Sequence, residues 1–387
     1  MAARFVVRAG RHTRRQAPVS VPLTNVPDGP LAVRNLAGRE TTPAQRTKHG
    51  LVFLMSDLAA GAEAAFEIAT TAAGSDGVQL NERDGELEVT IAGEKFTRYR
   101  FAGEGLARPY FWPVLGPGGR EVTRAYPMNP DVPGEAKDHP HHKSIWVAYG
   151  ELDGVDAWAE GRPTHGKTLH VGFDAVTSGP VYGGFVERTR WVDAVGGQLL
   201  AETREVRIYR TPDDIRLVDI DLHWTFERQD PRGRRFSLGE VHVGDTKEAG
   251  LIAVRVASSM DAKADGTIEN AWGGMSEAET WGRRSPWCDY SGPVGGENVG
   301  IAAFDHPSNI HFPCYWHVRD YGLMGSNPFG GETFTGNARE NGATTFRAGE
   351  QLSLRYRLYI HRGGAAAGQV SDHWFNFAFP PTVQVQD

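Results

Sequence analysis

The chain has little of what would mark a disulfide scaffold, a membrane protein or a nucleotide enzyme. Its 387 residues include two cysteines, Cys288 and Cys314. Two distant thiols supply neither a disulfide framework nor the paired spacing of a zinc site. No apolar run reaches the ~18 residues of a membrane helix. The N-terminus carries Arg4, Arg8, Arg11, Arg14 and Arg15, but no apolar core of a secretion signal follows. The expected location is therefore the cytoplasm, with no membrane partner. Basic excess is also missing: 41 Lys and Arg stand against 48 Asp and Glu, a formal charge of -7. Nucleic acid is not an expected partner. There is no G-x-S-x-G elbow, no P-loop and no G-x-G-x-x-G after a strand, so no nucleotide cofactor is expected.

Aromatic and turn residues are plentiful. Ten Trp, eleven Tyr and eighteen Phe accompany 47 Gly and 23 Pro. That mixture predicts an all-β protein with many turns and aromatic-lined clefts. Period-two alternation supports it. Asp219 to Glu227, Leu352 to His361, Glu205 to Arg210 and Glu86 to Ile91 alternate apolar and polar residues, as strands with one buried face do. Phe5-Val6-Val7, Val19 to Leu23 and Leu51 to Leu54 predict a small N-terminal β-sandwich-like unit over residues 1–75. A large antiparallel β unit is predicted over 78–387. One helix is expected, from Asp57 to about Ala72 around Gly61, and a terminal turn from Ala365 to Trp374.

The densest chemistry lies at Asp138-His139-Pro140-His141-His142-Lys143-Ser144-Ile145-Trp146. Pro140 removes a backbone donor and biases His139 toward an extended conformation. In an extended segment His139, His141 and Lys143 share one face, and His142 and Ser144 the other. Either face suits proton transfer, a metal or the hydroxyls of a sugar. A surface loop with one buried histidine is the plain alternative. Three further clusters stand out. Arg108-Pro109-Tyr110-Phe111-Trp112 precedes a glycine-rich turn and Arg124. His242-Val243-Gly244-Asp245 puts His242 and Asp245 on opposite strand faces. His317-Val318-Arg319-Asp320-Tyr321 leads to Asn327-Pro328-Phe329-Gly330-Gly331-Glu332.

Each buried hydroxyl left unpaired costs roughly 1–3 kcal/mol, so a sugar site needs such mixtures of Arg, Asp, Asn and His beside aromatics. The expected catalytic residues are His141, His142, Asp320 and Glu332. The expected substrate-binding residues are Arg108, Tyr110, Trp112, Arg124, His139, Lys143, Trp146, His242, Asp245, His317, Arg319 and Asn327. No cofactor is expected; a divalent metal at His139 and His141, with His242 or His317 as a third ligand, is the competing chemistry.

The four segments around Arg108–Val114, Asp138–Trp146, Trp287–Gly292 and His317–Gly330 resemble a bacterial family labelled PmoA-like. The label is borrowed from a membrane-bound methane oxygenase and sits badly with a chain lacking membrane spans. The resemblance covers about 100–330 and implies a role in sugar catabolism. The order of clusters is also similar to the galactose mutarotase supersandwich, where an arginine, two histidines, an aspartate and a late glutamate base follow one another. Arg108 or Arg124, His141 or His142, His242, Asp245 and Glu332 fill that order here. The resemblance implies a large supersandwich fold. The expected function is acid–base chemistry on a glycoside or oxidised sugar, by hydrolysis, elimination or epimerisation. The alternatives are a non-catalytic sugar-binding protein and a metal-dependent hydrolase or lyase.

Overall fold

The computed structural model describes residues 3–38, 40–71, 77–234 and 239–386. They fold into three large antiparallel sheets and one two-stranded ribbon. The expected all-β supersandwich is present: two eight-stranded sheets pack face to face. The first, called here the cleft sheet, runs Tyr315–Arg319, Leu323–Asn327, Ile252–Arg255, Ile145–Val147, Tyr110–Val114, Glu94–Arg100, Glu86–Ile91 and Val78–Arg83. The second, the far sheet, runs Lys167–Thr177, Tyr182–Val192, Gln198–Tyr209, Ile215–Thr225, Gln351–Arg362, Glu297–Asp305, Trp287–Val294 and Thr267–Asn270. Their inner faces share one core that includes Leu87, Ile145, Val254, Trp191, Trp224 and Tyr356.

A third, seven-stranded sheet encloses its own core of Phe5, Val19, Val33, Phe53, Phe66 and Ile68. It differs from the expected unit in one strand. Thr382–Gln386 leaves the large sandwich and pairs with Arg4–Arg8, which therefore has a neighbour on both sides. Residues 72–75, at the expected boundary, lie outside the described residues.

Two other expectations are corrected. The segment read as a helix from Asp57 forms the strand Glu63–Thr70, which pairs with Arg4–Arg8 and Leu31–Asn35. Its alanines suit a helix locally, but two flanking strands supply backbone partners. The expected helix extended to Ala72, which lies outside the described residues. The terminal turn is a helix, Val370–Ala378. The second correction concerns the strands with a polar face. Asp219 and Asp221 are buried, not solvated, because that helix covers the outer face of the far sheet. Trp374 and Phe377 pack there with Leu217, Phe304 and Tyr359. Asp219 is matched by the bidentate guanidinium of Arg357, at 2.5 and 2.8 Å.

Candidate functional site

Alternation in the cleft sheet sends every second side chain outward. Phe111, Ile145, Val254, Val318 and Met324 point into the core. Tyr110, Trp146, Ala253 and Leu323 form a separate cluster on the outer face. Register then aligns five strands: Tyr110 opposes Trp146, Trp146 opposes Ala253, Ala253 opposes Gly325, and Gly325 opposes His317. Two aromatics therefore stand at one end of this row and an imidazole at the other. Ala253 and Gly325 leave the middle shallow. The Trp158 indole lies over that floor, 3.7 Å from where a Cβ on Gly325 would stand.

The histidine segment departs from the extended form expected of it. The N–H of His142 donates to the carbonyl of His139 at 2.9 Å, closing a turn, and His139 has a positive φ of 42°. The cause is Arg124, which is fully buried. Its guanidinium donates to the carbonyls of Ala136, Asp138, His139 and His142, over 2.9–3.3 Å. It also donates to Asp138 Oδ1 at 2.5 Å. Backbone acceptors that a sheet would have paired are thus gathered around one cation. The faces change accordingly. His139 stacks on His142 with centroids 4.7 Å apart, while His141 meets both rings edge-on. The column extends to Tyr321 beyond His139, at 5.2 Å, and to Trp146 beyond His142, at 5.3 Å.

Charges around the column are shared. Asp138 Oδ1 accepts from both Arg124 and Arg255, and its other oxygen faces His139 Nδ1 at 2.9 Å. Burial works against the Asp138 carboxylate, but His139, Arg255 and Arg124 outweigh it and hold its pKa at about 2. Arg255 Nη1 lies 3.2 Å from His142 Nδ1, and its guanidinium lies 4.8 Å over the Tyr321 ring. Glu160 likewise serves two cations, Arg108 at 2.9 Å and Lys143 at 2.6 Å.

The three imidazoles most deeply placed are neutral at pH 7. Burial, then His141 and Arg255, drive His142 far below its ordinary value. Burial, then Arg108 and His139, lower His141 to about 4. Burial, then Arg319 and His139, lower His317 to about 3. His317 is 6% exposed; neither ring nitrogen makes a well-formed hydrogen bond, and the Glu248 backbone is close enough to pull its pKa slightly upward. Its nearest ionic neighbour is Glu248, 3.7 Å from Nε2. Asp261, near Arg255, is raised to about 6 by burial against the pull of that arginine.

The structure thus gathers His139, His141, His142, Lys143, Trp146, Tyr110, Arg108, Arg124, His317 and Arg319 on one face. Arg319 pairs with Glu277 at 3.0 Å and lies 5.6 Å over Tyr321. Asp320 sits beside the same ring but is paired with Lys263 at 3.3 Å. Trp112 donates to Glu121 at 2.8 Å near the same outer cluster.

Four expected residues take other places. His242 is exposed on the ribbon Val241–Val243, bonded to Thr345 at 3.1 Å, with no bond or ring contact to the column. Asp245 is an anchor: it accepts from the backbone of Glu332, Thr333 and Gly342 at 2.7–3.1 Å. Asn327 is fully buried and pins the same loop through Lys247 and Phe329. Glu332 accepts from Asn341 at 2.5 Å and has no contact with the histidines. The order that suggested these roles was linear; loop backbone engages Asp245, and the Asn341 amide engages Glu332.

Sequence reasoning passed over Arg255, Trp158, Glu160 and Asp261, and placed Glu248 in the His242 cluster without a role. Arg255 carries a visible signal, a lone charge inside the apolar run Leu251–Ala257. Trp158 and Glu160 lie in a loop whose turn depends on Asp156 accepting from the N–H groups of Trp158 and Ala159. No periodicity marks such a segment. Among the described residues no three His, Cys, Asp or Glu side chains gather as a metal site requires. His139 and His141 meet edge to face at 5.7 Å between centroids. No helix among the described residues is long and apolar enough to cross a membrane.

Comparison with known sequences places residues 86–375 in the family of unknown function DUF6807, and the chain belongs to it. No curated protein matches. Among solved structures the chain is similar to a glycosyl hydrolase family 38 protein from Enterococcus faecalis, with 9% identity and a TM-score of 0.47. An α-mannosidase from Enterococcus faecalis V583 matches with 8% identity and a TM-score of 0.43. Both alignments cover 100% of this chain but 47% and 46% of the others, so it spans about half their length.

Proposed function

We propose that the sheet face over the Tyr110–His317 row is the active site of a carbohydrate-processing enzyme that works by proton transfer through imidazole. The observation that carries this reading is His317. Its ring is buried with no well-formed hydrogen bond at either nitrogen, Glu248 being its nearest polar neighbour, and lies 6.5 Å from the Trp158 indole between centroids. An unpaired buried polar group costs roughly 1–3 kcal/mol, so it implies a partner that arrives with the substrate. Trp158 and Tyr321 put aromatic surface beside these imidazoles, the kind of surface a sugar ring packs against. His141 is half-buried and neutral, with a free lone pair for a proton. His317 with Glu248 supplies the second proton-transfer pair.

Proton abstraction from carbon, followed by its return in epimerisation or by loss of a β-substituent that takes up a proton in elimination, fits better than displacement by a carboxylate nucleophile. The carboxylates of Asp138, Glu160 and Asp320 are each held by cations. A nucleophile so neutralised attacks poorly. A sugar-directed role is also what the resemblance of the segments Arg108–Val114, Asp138–Trp146, Trp287–Gly292 and His317–Gly330 to PmoA-like sequences implies.

The test is a panel of neutral and oxidised sugars incubated with the protein in D₂O and followed by NMR. Solvent deuterium should enter one carbon of the true substrate if it is epimerised, and an unsaturated product should appear if it undergoes elimination. His141→Ala and His317→Ala should each slow that reaction ~10²–10⁴-fold, the range for lost acid–base catalysis. Saturable sugar binding with no exchange and no product would replace the enzyme reading with a binding protein.

A further inference from the structure

On the opposite side of the sandwich, the outer face of the far sheet meets the N-terminal unit and the helix Val370–Ala378. A cavity of about 330 Å³ lies at that junction, lined among others by Arg15, Gln16, Tyr359, His361, Gln369 and His373. It adjoins a second cavity of about 520 Å³, which shares Gln16 and Asp57. Nothing in the histidine site contributes to either.

Four observations distinguish this cavity from a packing gap. His373 is 5% exposed, stacks on Tyr359 at 4.1 Å and makes no hydrogen bond to any described residue through its ring. Burial, then Arg357 and His361, lower its pKa to about 3, so the ring is neutral and keeps one lone pair. Gln16 Oε1 is buried and unpartnered. Gln16 and Gln369 both have positive φ, 45° and 53°, an uncommon conformation for residues other than glycine, Asn or Asp. Strain of this kind persists where surrounding structure enforces it, and it clusters at ligand sites. Beneath them, His361 Nε2 meets Asp289 Oδ1 at 2.9 Å, fully buried, while Asp289 Oδ2 has no partner. That imidazole occupies a slot that a side chain on Gly300 or Gly368 would fill.

The cations at the cavity are already matched, while Asp214 lines it with no ion pair among the described residues. Arg15 bridges Asp57 at 2.8 Å and Asp372 at 3.0 Å, and Arg362 pairs with Glu297. What remains unpaired is a set of acceptors: an amide oxygen, an imidazole nitrogen and the Asp214 carboxylate. A complementary ligand brings several O–H donors and no negative charge. From this we infer that the junction cavity is a second binding site, separate from the histidine site, for a small polyhydroxylated molecule.

The probes are glycerol, xylitol, glucose and myo-inositol, with phosphate and ethylenediamine as charged controls, titrated into the full chain by calorimetry. At least one polyol should bind saturably. His373→Phe keeps the stacked ring and removes the acceptor, and should weaken that binding roughly three- to tenfold, the worth of one neutral hydrogen bond. Trp158→Ala, in the histidine site, should leave it unchanged. Long-range ¹H–¹⁵N spectra of the unmutated protein give an independent reading: the unprotonated nitrogen of His373 should shift on polyol addition. The inference is overturned if no polyol binds, if only phosphate or ethylenediamine binds, or if His373 stays silent while the ligand saturates. Loss of polyol binding in Trp158→Ala alone would place it at the histidine site instead. The sugar-enzyme reading is tested by exchange chemistry and can fail without affecting this result.

Discussion

Arg124 offers the sharpest test of how the histidine turn is held. Arg124→Met keeps most of the side-chain volume and removes every donor. Four carbonyls and the Asp138 carboxylate then lose a partner that lies at 0% exposure. Burial and the neighbouring Arg255 lower the Arg124 pKa to about 10, so the group lost is still a cation at neutral pH. Removing one member of a buried charged pair costs about 3–5 kcal/mol. Summing five separate bonds would give far more. Asp138 keeps Arg255 and the turn carbonyls can reach water, so the lower sum applies. For a chain of this length the unfolding entropy is roughly 0.8 kcal/mol/K, so the melting temperature should drop by about 4–6 °C if the chain unfolds as one unit. Differential scanning calorimetry reads the drop. Histidine ring resonances should lose the upfield shifts of the stacked His139–His142 pair. Arg124→Lys should recover part of the stability, because one ammonium reaches fewer acceptors. An Arg124→Met protein that melts within 1 °C of the parent, with unchanged ring shifts, would refute the claim that this guanidinium builds the turn.

Further outcomes follow from the same contacts. His317→Phe removes a buried polar ring that makes no well-formed hydrogen bond, so it should melt at or above the parent temperature while sugar turnover falls, as thermal scans and exchange assays on one sample will show. Asp245→Ala should behave oppositely, destabilising by roughly 2–3 kcal/mol through three orphaned backbone N–H groups, with turnover measured well below the melting point little changed. His141, His317 and His373, whose pKa values fall to about 4, 3 and 3, bind fewer protons folded than unfolded. Their stabilising contribution is therefore complete above the unfolded value near 6.5 and lost as pH falls toward 4, so the melting temperature should decline across that window and decline less in His317→Phe. Asp138, held at about 2, acts in the next window. Its contribution is present above the unfolded value near 4 and lost as pH falls through 2, and Asp138→Asn should flatten acid unfolding there.

Much of this protein follows from its residue order alone. Alternating apolar residues can only bury one face as strands, so the all-β class and strands such as Asp219–Glu227 and Leu352–His361 were legible locally. The histidine segment was legible as a candidate for chemistry, because three imidazoles crowd beside Trp146 and Lys143. What sequence could not determine was which face each side chain takes. The turn at His139 depends on Arg124, fifteen residues earlier, and on Arg255, more than a hundred later. The row from Tyr110 to His317 exists only through the register of five strands drawn from four distant parts of the chain. Asp245 and Glu332 carry the right chemistry in the right order, yet their local backbone engages one and a neighbouring amide the other. The helix read from Asp57 failed for the same reason: strand neighbours, not local propensity, decided its backbone partners. Period and composition act within a few residues. Burial, pairing and the protonation state of an imidazole are set by groups that only the folded chain brings together.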